Sequence, residues 1–589
     1  MIKGLKFRRF LCDLWIAIAL ISFYQGNAQF ISTDRITDWT KAGLKTEILE
    51  PTNLINFIDA GGNNDSLSAN DSIISSLIAS VGTNGLTIFF PNGKYYFTHS
   101  IDLLSNITIK GESADSTIFL FRVAGNSNLI NIIGFIDTDT FRFSCSSLKN
   151  SHQASLFKTI NLQQGNLIKI YDNDSALVSS SWAIHSTGQI QIIDSITNNK
   201  VFFDSPLRRD FFLINSPQFS KIHAVHNILL EQITLINLNS TNQQTANIYM
   251  DYVYNSKIKC VKSYDCNFAH IDIRNSSNIE VEGSYFQDAF DYGNGGKAYG
   301  VVLHQCTGEC LISNNNFNHL RHSVLLQAGA NGNVISYNYS QNPYWTAVSL
   351  PSNSAGDLVL HGNWPYFNLF EGNIIQNIVI DDSHGKNGPF NTFLRNRAEL
   401  FGIFMNSSPA SDSQNFIGNE TTKNSFFYGN ISLSGVGHFA EGNNQKGTIY
   451  PAGTSSQIIN SLYLSSAPAY YQHWPVIGLP NQLNAFDNRA KKNFDAASLT
   501  QCSETVLYTK EKNNLSSLKV YPNPFSDIIN IDNIDNEEIL TIQLFDISGK
   551  MIYLFGQEKE LLLKNLPSGY YFLKVFTNEN LYTKKLLRK

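Results

Sequence analysis

Short alternating runs of apolar and polar residues, broken by polar corners, recur along most of this chain, and from residue 312 onward each closes on a similar phrase. Ile312-Ser-Asn-Asn315, Ile335-Ser-Tyr-Asn338, Phe370-Glu-Gly-Asn373, Phe393-Leu-Arg-Asn396, Phe416-Ile-Gly-Asn419 and Ala440-Glu-Gly-Asn443 set an asparagine at intervals of 23, 35, 23, 23 and 24 residues. A period in the low twenties built from strand-like runs is that of a solenoid whose rungs stack on one another. Asparagine tolerates the left-handed backbone of a sharp bend, and its amide can bond to the asparagine one rung away. The series therefore reads as a structural ladder. The 35-residue interval is one rung plus about a dozen residues, which predicts a loop inserted on one face, often the binding face of a repeat protein.

Upstream, residues 72–80 have helical spacing behind Asp71, a good N-cap, and predict a short helix over the open end of the solenoid. Residues 86–97 and 101–112 alternate as strands. The period breaks between about 135 and 225, where 165–171, 188–193 and 199–203 read as strands of an inserted β-subdomain. Rungs resume at 227–235, and in 258–263 and 279–284 Ser263 and Ser284 stand where later rungs carry asparagine. The solenoid is expected over 53–490, with a linker at 491–515 and a compact β-sandwich over 516–589.

Two stretches resemble known families. Gly61-Gly62, Pro91, Gly93, Tyr95, Ser105-Asn106, Thr108-Ile109 and Gly111 are similar to the first coil of the pectin-lyase-like superfamily, its acidic pair reduced to Asn70-Asp71. The resemblance implies an all-β, right-handed parallel β-helix. It leaves the chemistry open, because lyases, hydrolases, epimerases and phage adhesins share that fold. Tyr521-Pro-Asn-Pro-Phe525, Asp546-Ile-Ser-Gly-Lys550, Leu566-Pro-Ser-Gly-Tyr570 and the basic ending 584–589 resemble the type A sorting domain of the type IX secretion system of Bacteroidota. That resemblance implies export across the outer membrane, with that secretion machinery as a partner.

The first 28 residues, basic then apolar and ending Gly26-Asn-Ala28, read as a signal peptide. No later stretch approaches the roughly 20 apolar residues of a membrane span. The formal charge is −5, and removing the leader's net +3 gives −8, which excludes a global attraction for nucleic acid or anionic lipid. An acidic polysaccharide can still bind through a local basic cluster. Cys260/Cys266 and Cys306/Cys310 are candidate local disulfides, with free buried thiols the equal alternative.

Chemistry-bearing residues gather between 303 and 399. Counting from the ladder, His322 is seven residues after Asn315 and Asp381 eight after Asn373, so stacking should bring Arg321 and His322 near Asp381, Asp382 and His384. Trp345, His361 and Trp364 should overhang from the insertion, and Arg395, Arg397 and Glu399 close the next rung. Taken singly, such residues cap corners or pair with one another. Beside the one long insertion they read together as a functional site, and the superfamily resemblance with the export route implies a polysaccharide as its ligand. A lyase for a uronate-containing glycan needs a base, here His322 or His384, and cations that neutralise the uronate, here Arg321 and Arg395. A glycoside hydrolase would pair Asp381 or Asp382 with Glu399 or Asp357. Trp345 and Trp364 suit sugar stacking in an enzyme or in a non-catalytic envelope protein. Asp381 and Asp382 admit Ca2+, with no spacing that specifies a metal.

Overall fold

The computed structural model describes residues 31–500 and 518–589, save 83, 348, 351–354, 407, 456–457, 469–470, 472–473, 476, 479–486, 534–538, 547–550, 565 and 578–580. The expected leader and most of the expected linker lie outside these. The chain forms two compact units, Met1–Cys502 and Ser503–Lys589.

The first unit is a right-handed parallel β-helix with three faces. The first face is one sheet of parallel strands that begins Leu54–Asn56, Leu86–Phe90, Ile107–Gly111, Leu229–Glu231, Val253–Lys259 and continues to Phe439–Glu441. The second and third faces are joined, because Ile374–Ile380 and Arg397–Met405 each run from one into the other through a register shift. Alternate residues point inward, so Ile271, Ile273, Val301, Leu303, Val324, Leu326, Leu358 and Leu360 form one continuous core.

The asparagine ladder is present. Asn315, Asn338, Asn373, Asn396 and Asn419 each donate Nδ2 to the Oδ1 of the next, ending on Asn443, at 2.8–3.0 Å. Each Nδ2 also reaches a carbonyl one rung back, such as Phe370 O from Asn396 at 2.9 Å. The left-handed residue of each bend is the one before the asparagine: Asn314, Tyr337, Gly372, Arg395, Gly418 and Gly442. Three of the six are glycine, which carries no Cβ penalty there. Ser284 heads the ladder, accepting Val261 N–H and donating its own N–H to Asn315 Oδ1. Ser263 does not belong to it. Strand pairing aligns Lys262 with Tyr285, which puts Val261 beside Ser284. A second ladder, Asn333, Asn368, Asn391 and Gln414, runs along another corner five residues earlier in each rung.

The capping helix spans Asp71–Ala79, one residue earlier than expected. Asn70 is its N-cap, while the Asp71 carboxylate accepts the N–H groups of Thr98 and His99. A segment without repeat signature, 31–50, runs outside the first face. Its Trp39 is buried and donates Nε1 to Phe367 O at 2.7 Å. Strands from Phe135–Ile136 to Gln218–His223 form antiparallel pairings around a separate core of Phe143, Ile168, Ile170, Phe211 and Phe219. Against the middle of the second face, a helix at Arg489–Asp495 occupies the start of the expected linker, with Phe494 packed on the rings of Tyr285 and Tyr339. Cys266, Cys306 and Cys310 are free, so neither local disulfide forms.

The second unit packs a three-stranded sheet (Leu518–Tyr521, Ile528–Asn533, Glu560–Leu562) on a four-stranded one (Met551–Phe555, Ile539–Phe545, Gly569–Thr577, Leu581–Arg588). Phe525, Ile529, Leu544, Leu561 and Val575 fill the space between them.

Candidate functional site

The third face carries the site. Its strands Ala269–Arg274, Tyr299–His304, His322–Leu326, Leu358–Leu360 and the end of Ile374–Ile380 are in parallel register. In each the last inward residue is aliphatic, and the next turns out at the strand's end. Register therefore stacks Arg274, His304, Gln327, His361 and Asp381 as one column, about 4.8 Å per rung. Outward-facing Val302 and Leu325 pack with Phe268 and Tyr299 into an apolar floor.

Above that floor is a cleft of about 640 Å³. Arg274, Tyr299, His304, Arg321, His361 and His384 supply its charged and titratable lining, and no Asp or Glu lines it among the described residues. The carboxylates stand behind the histidines. His361 Nδ1 lies 2.5 Å from Asp381 Oδ2, an ion-pair contact off the line of a good hydrogen bond. His304 Nε2 lies 2.6 Å from Asp272 Oδ1, whose other oxygen takes both Nε and Nη2 of Arg274. Burial pushes both carboxyls up. His304 and Arg274 outweigh this at Asp272, and His361 with Ser383 outweighs it at Asp381, so both are held below the usual range. His304 uses its second nitrogen toward Gln327, at 3.4 Å. His361 Nε2 has no hydrogen-bond partner among the described residues.

Two tryptophans wall the cleft. Trp182, from the 3-10 turn Ser181–Ala183 between two strands of the inserted antiparallel sheet, stands edge-on to His384 at 5.8 Å. That sheet is tied down by Asn363 Oδ1, which accepts Ser179 and Ser180 N–H, and by the buried Arg208–Glu309 pair. Trp345, from the 35-residue interval, lies 4.8 Å from the Arg321 guanidinium, whose Nη1 donates to Gly293 O. His384 packs 4.9 Å from the His361 ring, and burial followed by the charge of His361 lowers its pKa, so it is neutral near pH 7.

Of the residues expected from sequence, Arg321, Trp345, His361 and His384 line the cleft and Asp381 backs it. His361 comes from the column rather than overhanging from the insertion. His322 is wholly buried, its Nδ1 3.1 Å from Gly356 O and its ring behind Tyr299 and His361. Burial, then Arg321 and His361, push its pKa far down. Asp382 accepts from Asn406 and Ser408. The hydrogen-bond partners of both carboxylates, Ser383 and Asn406 for Asp381 and Asn406 and Ser408 for Asp382, are donors, the wrong surroundings for Ca2+. Trp364 lies outside the cleft lining. Arg395 donates to Ile458 O, Ile459 O and Ile477 O, and Arg397 pairs with Glu420 and Asp487. The two arginines bind the solenoid to its own C-terminal segment, and Glu399, whose pKa burial raises, also stands outside the cleft lining. Asp272, Arg274, Tyr299, His304, Gln327 and Trp182 are additions from the structure.

Residues 519–589 match the family described as the secretion system C-terminal sorting domain. The chain is thus a cargo of the type IX route, delivered to the cell surface or beyond it. No curated protein matches it in sequence. Among solved structures, the tailspike gp49 of Pseudomonas phage LKA1 is 14% identical with TM-score 0.47, over 62% of this chain and 64% of that one. The Gp54 tailspike of Acinetobacter baumannii bacteriophage AP22, solved with a capsular saccharide, is 11% identical with TM-score 0.47, over 66% and 69%. An exopolygalacturonase from Thermotoga maritima is 10% identical with TM-score 0.32, over 64% and 83%.

Proposed function

We propose that the protein is an exported polysaccharide lyase acting on a uronate-containing glycan. The observation that carries this reading is the cleft's lining of three histidines, two arginines and a tyrosine, with its carboxylates buried behind histidines. A glycosidase needs two carboxyl groups facing the scissile bond. Elimination needs a base, a cation for the uronate and a proton for the leaving oxygen. His361 Nε2 takes the proton beside the uronate carboxylate, with Asp381 stabilising the imidazolium that forms. Arg321 neutralises the carboxylate as negative charge moves onto it. The new carbon–carbon double bond forms as the glycosidic carbon–oxygen bond breaks, and Tyr299 hands its proton to the departing oxygen. Burial, with Asp381 against the opposing Arg321, raises the Tyr299 pKa, so the phenol enters the reaction protonated. Trp182 and Trp345 hold the sugar faces.

The test is incubation with a panel of polyuronides while the ultraviolet absorbance of unsaturated ends is followed. Reducing ends without that absorbance would make it a hydrolase. Retention without turnover would make the cleft a glycan-binding site of an envelope protein.

A further inference from the structure

A second groove adjoins the cleft. It measures about 680 Å³, and Trp345 lines both, with Tyr344, Leu350 and Phe401 among the walls of the second. Strand register places Phe401 three rungs beyond His322 at the same corner, about 14 Å along the solenoid. Tyr428, one rung further, meets Phe401 edge-on at 5.6 Å. Phe426 and Phe427 follow at 89% and 77% exposure, their rings 5.2 Å apart. Tyr344 is anchored where its ring meets those of His319 and Tyr292, both at 5.0 Å, which fixes the loop that joins cleft to groove. Isolated apolar side chains on a surface need no explanation. A series of aromatic side chains on successive rungs that starts at a cleft does.

We propose that this row is a distal glycan platform. The strand held in the cleft continues over Trp345, across Phe401 and Tyr428, and stacks its sugar faces on Phe427. The occupant is the same glycan because the groove is continuous with the cleft through one shared tryptophan. Aromatic rings present the broad apolar faces that sugar rings cover, without demanding a particular hydroxyl pattern. The platform rests on the lyase reading for its ligand, and it adds a preference for long chains over short ones.

The experiment uses the whole protein, wild type against the double variant Phe426→Ala/Phe427→Ala, with Phe401→Leu as a second variant. The probe is the polyuronide the enzyme cleaves, as intact polymer and as oligosaccharides only long enough to fill the cleft. The ratio of KM for oligosaccharide to KM for polymer is read, or of Kd by affinity electrophoresis if the glycan is only retained. Wild type should favour polymer, and the variants should lose that preference by about five- to tenfold. An unchanged ratio overturns the platform and leaves the cleft reading standing. Failure of wild type to cleave or retain any acidic glycan overturns both. An altered sedimentation coefficient in the variants with an unchanged ratio makes the row a contact between copies of the chain, and also overturns it.

Discussion

Replacing Asn396 by alanine removes a side chain that is fully buried and uses both ends. Its Oδ1 accepts Asn373 N–H at 3.2 Å and Asn373 Nδ2 at 2.8 Å. Its Nδ2 donates to Phe370 O at 2.9 Å and Asn419 Oδ1 at 3.0 Å. Three of the four neighbouring groups keep a partner without it. Asn373 Nδ2 retains Ile335 O, and Asn419 Oδ1 retains the Asn396 N–H. The Phe370 carbonyl keeps the ladder N–H of Leu394, so only the Asn373 N–H loses its partner, away from water. At about 1–3 kcal/mol for the buried donor left unpaired, plus about 0.5–1.5 kcal/mol for the bond lost at Phe370, the loss is roughly 1.5–4.5 kcal/mol. Because each rung touches only its neighbours, the damage should stay within about two rungs. The assay is therefore hydrogen exchange on peptides covering 368–376 and 392–398, beside urea unfolding of the whole protein. Asn424, exposed on the surface, is the control, and its alanine variant should change stability by less than about 0.5 kcal/mol. If Asn396→Ala costs less than about 1 kcal/mol and exchange in those peptides is unchanged, the ladder is decoration and the reasoning fails.

Replacing His361 by glutamine should lower kcat by about two to four orders of magnitude with little change in melting temperature, measured on the same preparation. Burial raises Glu371 to about 7 and Asp357 to about 6. Raised acids give stability that is full below their unfolded pKa values and is lost as pH climbs through the folded ones. Urea midpoints should therefore fall between about pH 4 and 7, and Glu371→Gln should flatten the upper part of that slope. Arg397→Ala breaks the buried pair with Glu420 and should cost about 3–5 kcal/mol in unfolding free energy, while glycan retention by the folded fraction stays unaltered.

The ladder was legible in the sequence because its signal is chemical and nearly periodic. An amide must stand at each of those bends to bond the next amide, so Asn315, Asn338, Asn373, Asn396 and Asn419 declare themselves. The same logic applied five residues earlier would have found Asn333, Asn368, Asn391 and Gln414, and the residue before each ladder asparagine would have shown where the left-handed turn falls. The site column obeys a different rule. Ile273-Arg274, Leu303-His304, Leu326-Gln327, Leu360-His361 and Ile380-Asp381 share one local pattern, an aliphatic residue and then a polar one at a strand's end. Their intervals are 30, 23, 34 and 20 residues, because the corners between ladder and third face differ in length from rung to rung. Counting a fixed offset from the asparagines therefore selected His322, which lies at the start of its strand and under the floor, and passed over His304 and Gln327. Trp182 carries no such signal, since it reaches the cleft from an inserted subdomain about 160 residues before the insertion that carries Arg321's partner Trp345. Backbone hydrogen bonds hold register within a face but place no constraint on the length of a corner. On a solenoid, then, residues that must act together are aligned by counting back from the ends of strands on their own face. By that count His361 falls between Gln327 and Asp381, with its free Nε2 beside Arg321 and His384 in the cleft, which is why the base is assigned to it and not to His322.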